Sequence, residues 1–426
     1  LSNVPAIRLA FYGDDFTGST DALEFLCRAG LKTRLFLDPP AREQLKSYPD
    51  LQAYGVAGLT RSMSPEAMET TLHPAFLQMK ATGARHIHYK VCSTFDSSPT
   101  IGSIGRAIDT ASKIFHQPSI PLLVAAPALG RYCVFGNLFA RMGIGSAGEI
   151  FRLDRHPSMS KHPVTPADES DLRLHLAKQT KLPIRLLSIL QLEQSLSEKK
   201  NYLQQQSGVV LIDALYTSQL SGVGELLDEL ANDEQLFSVG SSGIEMALGQ
   251  HWRATGALPE SPQWNDPGAA SPLLVLAGSC SPVTAAQINR AEKAGFALFH
   301  VNENTDAACH ALNNGQSVII HTGGHERTNA ALIPAEQTGA ALGYTGRELV
   351  AKTAVKRIVV AGGDTSSYAA RAMGIVAVEM IAPLVMGAPL CRATAPGSSL
   401  DGKEVNFKGG QVGDENYFII LEKGKL

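Results

Sequence analysis

Two neighbouring carboxylates, Asp14 and Asp15, lie in the stretch AFYGDDFTGSTD (10–21), between an apolar run, IRLAFY, and a helical pattern, ALEFLCRAG. That order reads as strand, turn, helix, with polar groups gathered at the carboxyl end of the strand. Ligands of open α/β sheets bind at that end. Paired aspartates there can accept a proton, bind hydroxyls or ligate a metal. Two more predicted strands end in polar groups: GLTRS (58–62) brings Arg61, and YKVCSTFDSS (89–98) brings Lys90, Ser93 and Thr94. Parallel strands would bring all three ends to one rim. The cations would then take a carboxylate and the aspartates would take hydroxyls, which describes a site for a small polyhydroxy acid. Asp15 is the first candidate for a catalytic proton acceptor and Asp14 the second. Taken alone, Arg61 or Lys90 would read as a surface ion pair.

The second half carries a different chemistry. The apolar LLVLA (273–277) runs into Gly278-Ser279-Cys280-Ser281-Pro282 and then a helical pattern. Ser281 before Pro282 is a good helix cap, and the free N–H groups of such a turn can cradle phosphate. RIVVAGG (357–363) repeats the device with Gly362, Gly363, Asp364 and Thr365. Asp364 could cap the following helix, contact a magnesium-bound water or bind a ribose hydroxyl, with capping the plainest role. A third cluster, KGGQVGD (408–414), brings Gly409 and Gly410. Alone it is a hairpin turn; three such turns together suggest a nucleotide pocket. Neither GxxxxGK[ST] nor a GxGxxG after a strand is present, so any nucleotide site is of a less common kind.

The elements that must position these groups alternate as strand and helix, the pattern of an α/β protein with mostly parallel sheets flanked by helices. Strands are predicted at 7–12, 33–37, 52–58, 86–91, 121–126, 209–214 and 236–240, then at 273–279, 297–302, 317–323 and 357–363, with VNFKGG and YFIILEK as the last two. A chain of 426 residues is long for one core. Residues 1–250 read as an acid-binding domain, the Pro/Gly/Ser-rich 251–272 as a linker pinned by Trp252 and Trp264, and 273–426 as a nucleotide-binding domain. The irregular stretch 152–172 reads as a long loop able to close over a ligand.

With 44% hydrophobic and 18% charged residues and a net charge of −3, the composition is globular, and neither nucleic acid nor membrane is the expected partner. No apolar run is long enough to span a bilayer, and the first residues lack the pattern of a signal peptide, so a cytoplasmic protein is expected. The six cysteines are scattered without zinc or CxxC spacing and read as free thiols; no metal site is expected from side chains. A homo-oligomer is compatible with the sequence, which says nothing more on assembly.

The motifs GDDFTGSTD, YKVCSTFDSS, GSCSPVTAAQI, VAGGDTSS and KGGQVGDENYF, in this order across both halves, resemble the four-carbon acid sugar kinase family, whose members include threonate, erythronate and 3-oxo-tetronate kinases. The resemblance implies an N-terminal domain that binds the sugar acid and a C-terminal domain that binds ATP, with phosphoryl transfer to a terminal hydroxyl across the cleft between them. It implies ATP contacts at Ser279 and Ser281, at Gly362, Gly363, Asp364 and Thr365, and at Gly409 and above all Gly410, with Mg2+ bridging the phosphates. The acid would meet Asp14, Asp15, Arg61, Lys90, Ser93 and Thr94. Two stretches depart from the family text: the late motif lacks its serine, and PALGRYCVFGNLFAR (127–141) is unusual. They leave the identity of the acid open.

Two rival readings remain at this level. A non-catalytic sugar-acid sensor would explain the first half but leave the three glycine turns without purpose, and titration with MgATP separates it from a kinase. A dehydrogenase with an atypical nucleotide site lacks its fingerprint, and nicotinamide fluorescence would reveal it.

Overall fold

Strands buried on both faces mark parallel sheets covered by helices. In a computed structural model, which describes residues 6–142, 148–162, 164–232, 234–259, 262–323 and 334–425, Leu9–Gly13, Ala53–Ala57, His86–Lys90, Ser119–Leu123 and Leu236–Gly240 are strands with every residue buried. The chain divides into two units, one made of Leu1–Thr33 with Pro39–Pro262, the other of Arg34–Asp38 with Gln263–Leu426.

The first unit holds a parallel sheet in the order Ala53–Ala57, Leu9–Gly13, His86–Lys90, Leu236–Gly240, Ser119–Leu123, Gly208–Ile212, Ile184–Leu187. Gly13 is level with Ala57 on one side and with Lys90 on the other, and Lys90 is level with Gly240. The carboxyl ends of four adjacent strands therefore form one rim. A small antiparallel sheet, Arg131–Val134, Asn137–Arg141 and Ile150–Arg152, is an addition that the α/β rhythm did not announce.

The second unit repeats the logic with Ala297–His300, Val318–His321, Leu273–Ala277, Arg357–Ala361 and Glu404–Lys408 in parallel. Ala277 is level with Ala361, and Ala361 with Lys408. The sheet continues antiparallel through Ala388–Thr394 and Ala377–Val385, two strands absent from the predicted set. Its outermost pairing joins Phe36 and Leu35 to Ala377 and Val378. The predicted strand at 33–37 thus exists, within the second unit's sheet.

Several expectations change. YFIILEK, predicted as a strand, is the helix Tyr417–Lys423. Its buried residues are Tyr417, Phe418 and Leu421, one helical stripe rather than the alternate positions of a strand. Burying such side chains contributes about 1.5–3 kcal/mol each, enough to override a β-rich composition. The glycine cluster before it therefore links strand to helix and is not a hairpin. The helix Gly243–Ala254 runs four residues into 251–272, and Trp252 is buried with Nε1 donating to Asp228 Oδ1 at 3.0 Å. Within 152–172, Leu153–Arg155 and Met159–Lys161 form short 3-10 turns.

Candidate functional site

Asp15 occupies its place for a structural reason as well as a chemical one. It is the N-cap of the helix Phe16–Ala29: Oδ1 accepts from Gly18 N at 2.8 Å and Oδ2 from Thr17 Oγ1 at 2.9 Å. Asp14 continues the strand, its N–H donating to Lys90 O at 2.9 Å and its carbonyl accepting from Arg61 N at 3.0 Å. The main chain thus ties together the three strand ends that carry Asp14, Arg61 and Lys90.

The side chains then meet. Arg61 reaches Asp14 through Nη2 at 3.1 Å and Nε at 3.3 Å, and Asp15 Oδ2 through Nη1 at 2.9 Å. Both aspartates are buried, while the Arg61 side chain keeps 25% exposure. Lys90 is buried, with Nζ donating to Val91 O at 3.1 Å. A Cβ on Gly18 would stand 2.5 Å from Asp15 Oδ1 and 3.0 Å from Lys90 Nζ, so glycine is needed for this close approach. Thr94 is buried, its Oγ1 2.9 Å from Cys92 Sγ, and Ser93 is half-buried beside it. Burial, with the charge of Asp96, pushes the Cys92 thiol up to about 11, so it is not a ready thiolate.

The two carboxylates differ electrostatically. Burial raises the pKa of Asp14 more than Arg61 lowers it, and the charge of Asp15 adds to the rise. For Asp15 burial also acts upward, but Arg61, Lys90 and the bonds from Thr17 and Gly18 outweigh it and hold the group below the ordinary carboxylate value.

Beneath this rim lies a layer of buried titratable groups that sequence reasoning missed. Asp21 accepts from Ser242 Oγ through Oδ2 and leaves Oδ1 without a partner. Glu245 is fully buried, both oxygens lack hydrogen bonds, and Oε1 stands 3.7 Å from His88 Nε2. Burial pushes Glu245 up to about 8, with Lys90 opposing, and pushes His88 down to about 3, with Lys90 reinforcing. At neutral pH both are uncharged. The available signal was LFSVG followed by Ser241-Ser242-Gly243, the same strand–glycine–serine–helix order as the other sites.

In the second unit, Ser281 caps the helix Pro282–Lys293 by accepting from Val283 N at 3.2 Å, as expected. Ser279 Oγ accepts from Ser281 N at 3.2 Å. Gly278 N donates to Ala361 O, and Gly362 N donates to Lys408 O at 2.9 Å. A Cβ on Gly410 would lie 2.8 Å from Ser279 Oγ and 3.0 Å from Ser281 Cβ. The three turns are therefore one cradle. Thr365 is buried, its Oγ1 2.6 Å from where a Gly278 Cβ would stand. The helix Gly363–Ala372 is preceded by Gly362 at the N-cap position with φ 135, and Asp364 belongs to its first turn. The Asp364 side chain lies outside the described residues. Gly363 opens that helix, and Gly409 follows Lys408 toward Gly410.

The comparisons match this division of labour. A family model described as a sugar-binding N-terminal domain matches residues 9–248, and one described as a nucleotide-binding C-terminal domain matches residues 274–418. The chain belongs to the four-carbon acid sugar kinase family. A 3-oxo-isoapionate kinase of Paraburkholderia graminis is 41% identical, with 98% of this chain and 94% of the relative covered. A 3-oxo-tetronate kinase of Methylobacterium radiotolerans is 28% identical over 97% of this chain and 98% of the relative. A crystal structure from Salmonella typhimurium LT2 has a TM-score of 0.77 at 22% identity, covering 99% of this chain and 100% of that one, a likeness of fold alone. This chain is a sugar-acid kinase, an enzyme with a nucleotide-binding C-terminal domain. No described helix is long and apolar enough to cross a membrane.

Proposed function

We propose that the enzyme transfers the γ-phosphoryl group of ATP to a terminal hydroxyl of a short oxo sugar acid, with 3-oxo-isoapionate the first substrate to try and 3-oxo-tetronates the next. The ranking of acids follows the 41% and 28% identities of the two kinds of relative. The single observation that carries the reading is the Asp14–Arg61–Lys90 cluster on adjacent parallel strand ends of the sugar-binding unit.

Asp14 is our choice for the group that accepts the hydroxyl proton. Among the described residues its carboxylate hydrogen-bonds with Arg61 alone, whereas both oxygens of Asp15 are engaged in the helix cap, and its raised pKa makes it the better base. Arg61 and Lys90 would bind the acid's carboxylate, and Ser93 and Thr94 its hydroxyls. The acceptor would thus be held by the first unit and the nucleotide by the second.

ATP fits the second unit on structural grounds: the Gly410 turn packs so closely on Ser279 and Ser281 that a Cβ would clash, and the amides after Ser281 lie at a helix start suited to phosphate. Gly363, Thr365 and Gly409 border the cradle. Magnesium arriving with the nucleotide would supply neutralisation of charge during transfer. Catalysis would otherwise come from in-line positioning. The test is ADP release from ATP and magnesium with 3-oxo-isoapionate, 3-oxo-tetronates, threonate and erythronate offered in turn. Turnover with at least one oxo acid is expected. Tight acid binding without ADP release from any of them would favour a sensor and end the proposal.

A further inference from the structure

Lys408 is the last residue of the strand Glu404–Lys408 and is fully buried. Its carbonyl accepts from Gly362 N, which ties it to one glycine turn. Its Nζ donates to Thr284 Oγ1 at 3.1 Å, and Thr284 Oγ1 donates to Gly410 O at 3.2 Å, which ties it to the other two. The ammonium therefore lies directly beneath the cradle.

A buried cation with a purely structural role looks different in this same sheet. Arg357, equally buried, is paired with Glu404 at 2.7 Å and also donates to Gly268 O. Around Lys408 Nζ the facing groups are uncharged: the Thr284 hydroxyl from the helix Pro282–Lys293, and the Tyr417 ring, with Nζ 5.5 Å from its centroid. Asp414, the acid of the adjoining turn, accepts from Asn416 N at 2.8 Å. Among the described residues no carboxylate pairs with Lys408. Thr284 belongs to the first turn of its helix, the end whose dipole repels a cation. The hydroxyl and the ring offset only part of the cost of burying a cation there, and an anion arriving in the cradle would supply the missing opposite charge.

We propose that Lys408 is the positioning cation for the nucleotide's phosphates, and that its Nζ takes up a proton from solvent as MgATP binds. The inference rests on the nucleotide-binding reading of this unit. Burial alone draws its pKa down to about 7. Above that pH the free enzyme holds a neutral amine, and the phosphates restore the ammonium. No bond other than N–H forms in this step.

Calorimetric titration of the full chain with MgATP at pH 8, in buffers of differing ionisation enthalpy, reads the proton directly. Wild type is expected to take up between about half and one proton per nucleotide. Lys408→Met should take up none and bind MgATP at least tenfold more weakly, yet melt at or above the wild-type temperature without nucleotide, because an unpaired buried cation has been removed. Lys408→Arg should restore affinity without proton uptake, since its charge is permanent. Wild-type binding without proton uptake, or unchanged uptake in Lys408→Met, would overturn this inference alone. Absence of any MgATP binding would overturn it together with the nucleotide reading.

Discussion

Asp14 and Asp15 share one guanidinium and are not equivalent. Arg61 contacts both, but only Asp15 also receives Gly18 N and Thr17 Oγ1 as the cap of the helix Phe16–Ala29. Removing the charge at the cap weakens the cap; removing it at Asp14 does not. Asp15→Asn is expected to lower folding stability by up to about 1 kcal/mol through the lost negative charge at the helix N-terminus, while Asp14→Asn holds stability near wild type, because that group already has a raised pKa. Thermal melts of the two variants at pH 7 check the order. An equal or larger loss in Asp14→Asn would contradict the division of roles.

Gly18 is where the cluster has no spare room. Its Cβ would press on Asp15 Oδ1 and Lys90 Nζ. Gly18→Ala should lower kcat/KM for the acid by about tenfold to a hundredfold, as small misplacements at a reacting centre do, while KM for ATP stays put. Steady-state kinetics in both substrates would show the split.

Gly410 makes the mirror prediction for the other unit. A methyl group there meets Ser279 Oγ and Ser281 Cβ. Gly410→Ala should raise KM for ATP by about tenfold, a change of roughly 1.4 kcal/mol in binding, and leave KM for the acid unchanged.

Glu245 gives a pH dependence with a defined sign. Its folded pKa, raised by burial to about 8, exceeds the ordinary 4.5. Between those values the folded chain holds a proton that the unfolded chain has released. This group's contribution is therefore fully present below 4.5 and is lost as pH rises toward 8, by up to about 1.4 kcal/mol per pH unit. Glu245→Gln mimics the protonated form and should remove that slope. Melting temperatures of wild type and variant should diverge steadily from pH 5 to 8 in favour of the variant; parallel curves would refute the buried neutral acid.

The alternation of apolar runs and helical patterns was enough to place the Asp14, Arg61 and Lys90 strand ends on one rim, because a fully buried parallel strand writes itself as a continuous apolar run. The same reasoning read Tyr417–Lys423 as a strand, since seven apolar-rich residues have no period of their own until a core picks out one stripe. It could not say which sheet Thr33–Phe36 would join, because pairing is decided by partners far along the chain. The Ser281 cap was legible through its Ser-Pro chemistry, and the glycine turns through their composition, while the choice of Ser279 and Gly410 came with the family resemblance. Glu245 and His88 were not: the strand–glycine–serine–helix order at 236–243 marks a turn, but which titratable side chains the fold buries behind it is decided by packing against elements far along the chain.

The most direct measurement is the mass of the acid after incubation with ATP and magnesium, for wild type and Asp14→Asn side by side. Wild type should convert 3-oxo-isoapionate or a 3-oxo-tetronate to its monophosphate with one ADP per product. Asp14→Asn should lose about 10²–10⁴-fold in turnover while its ATP affinity holds. A wild-type enzyme that phosphorylates none of these acids, or an Asp14→Asn variant that turns over undiminished, would contradict the account.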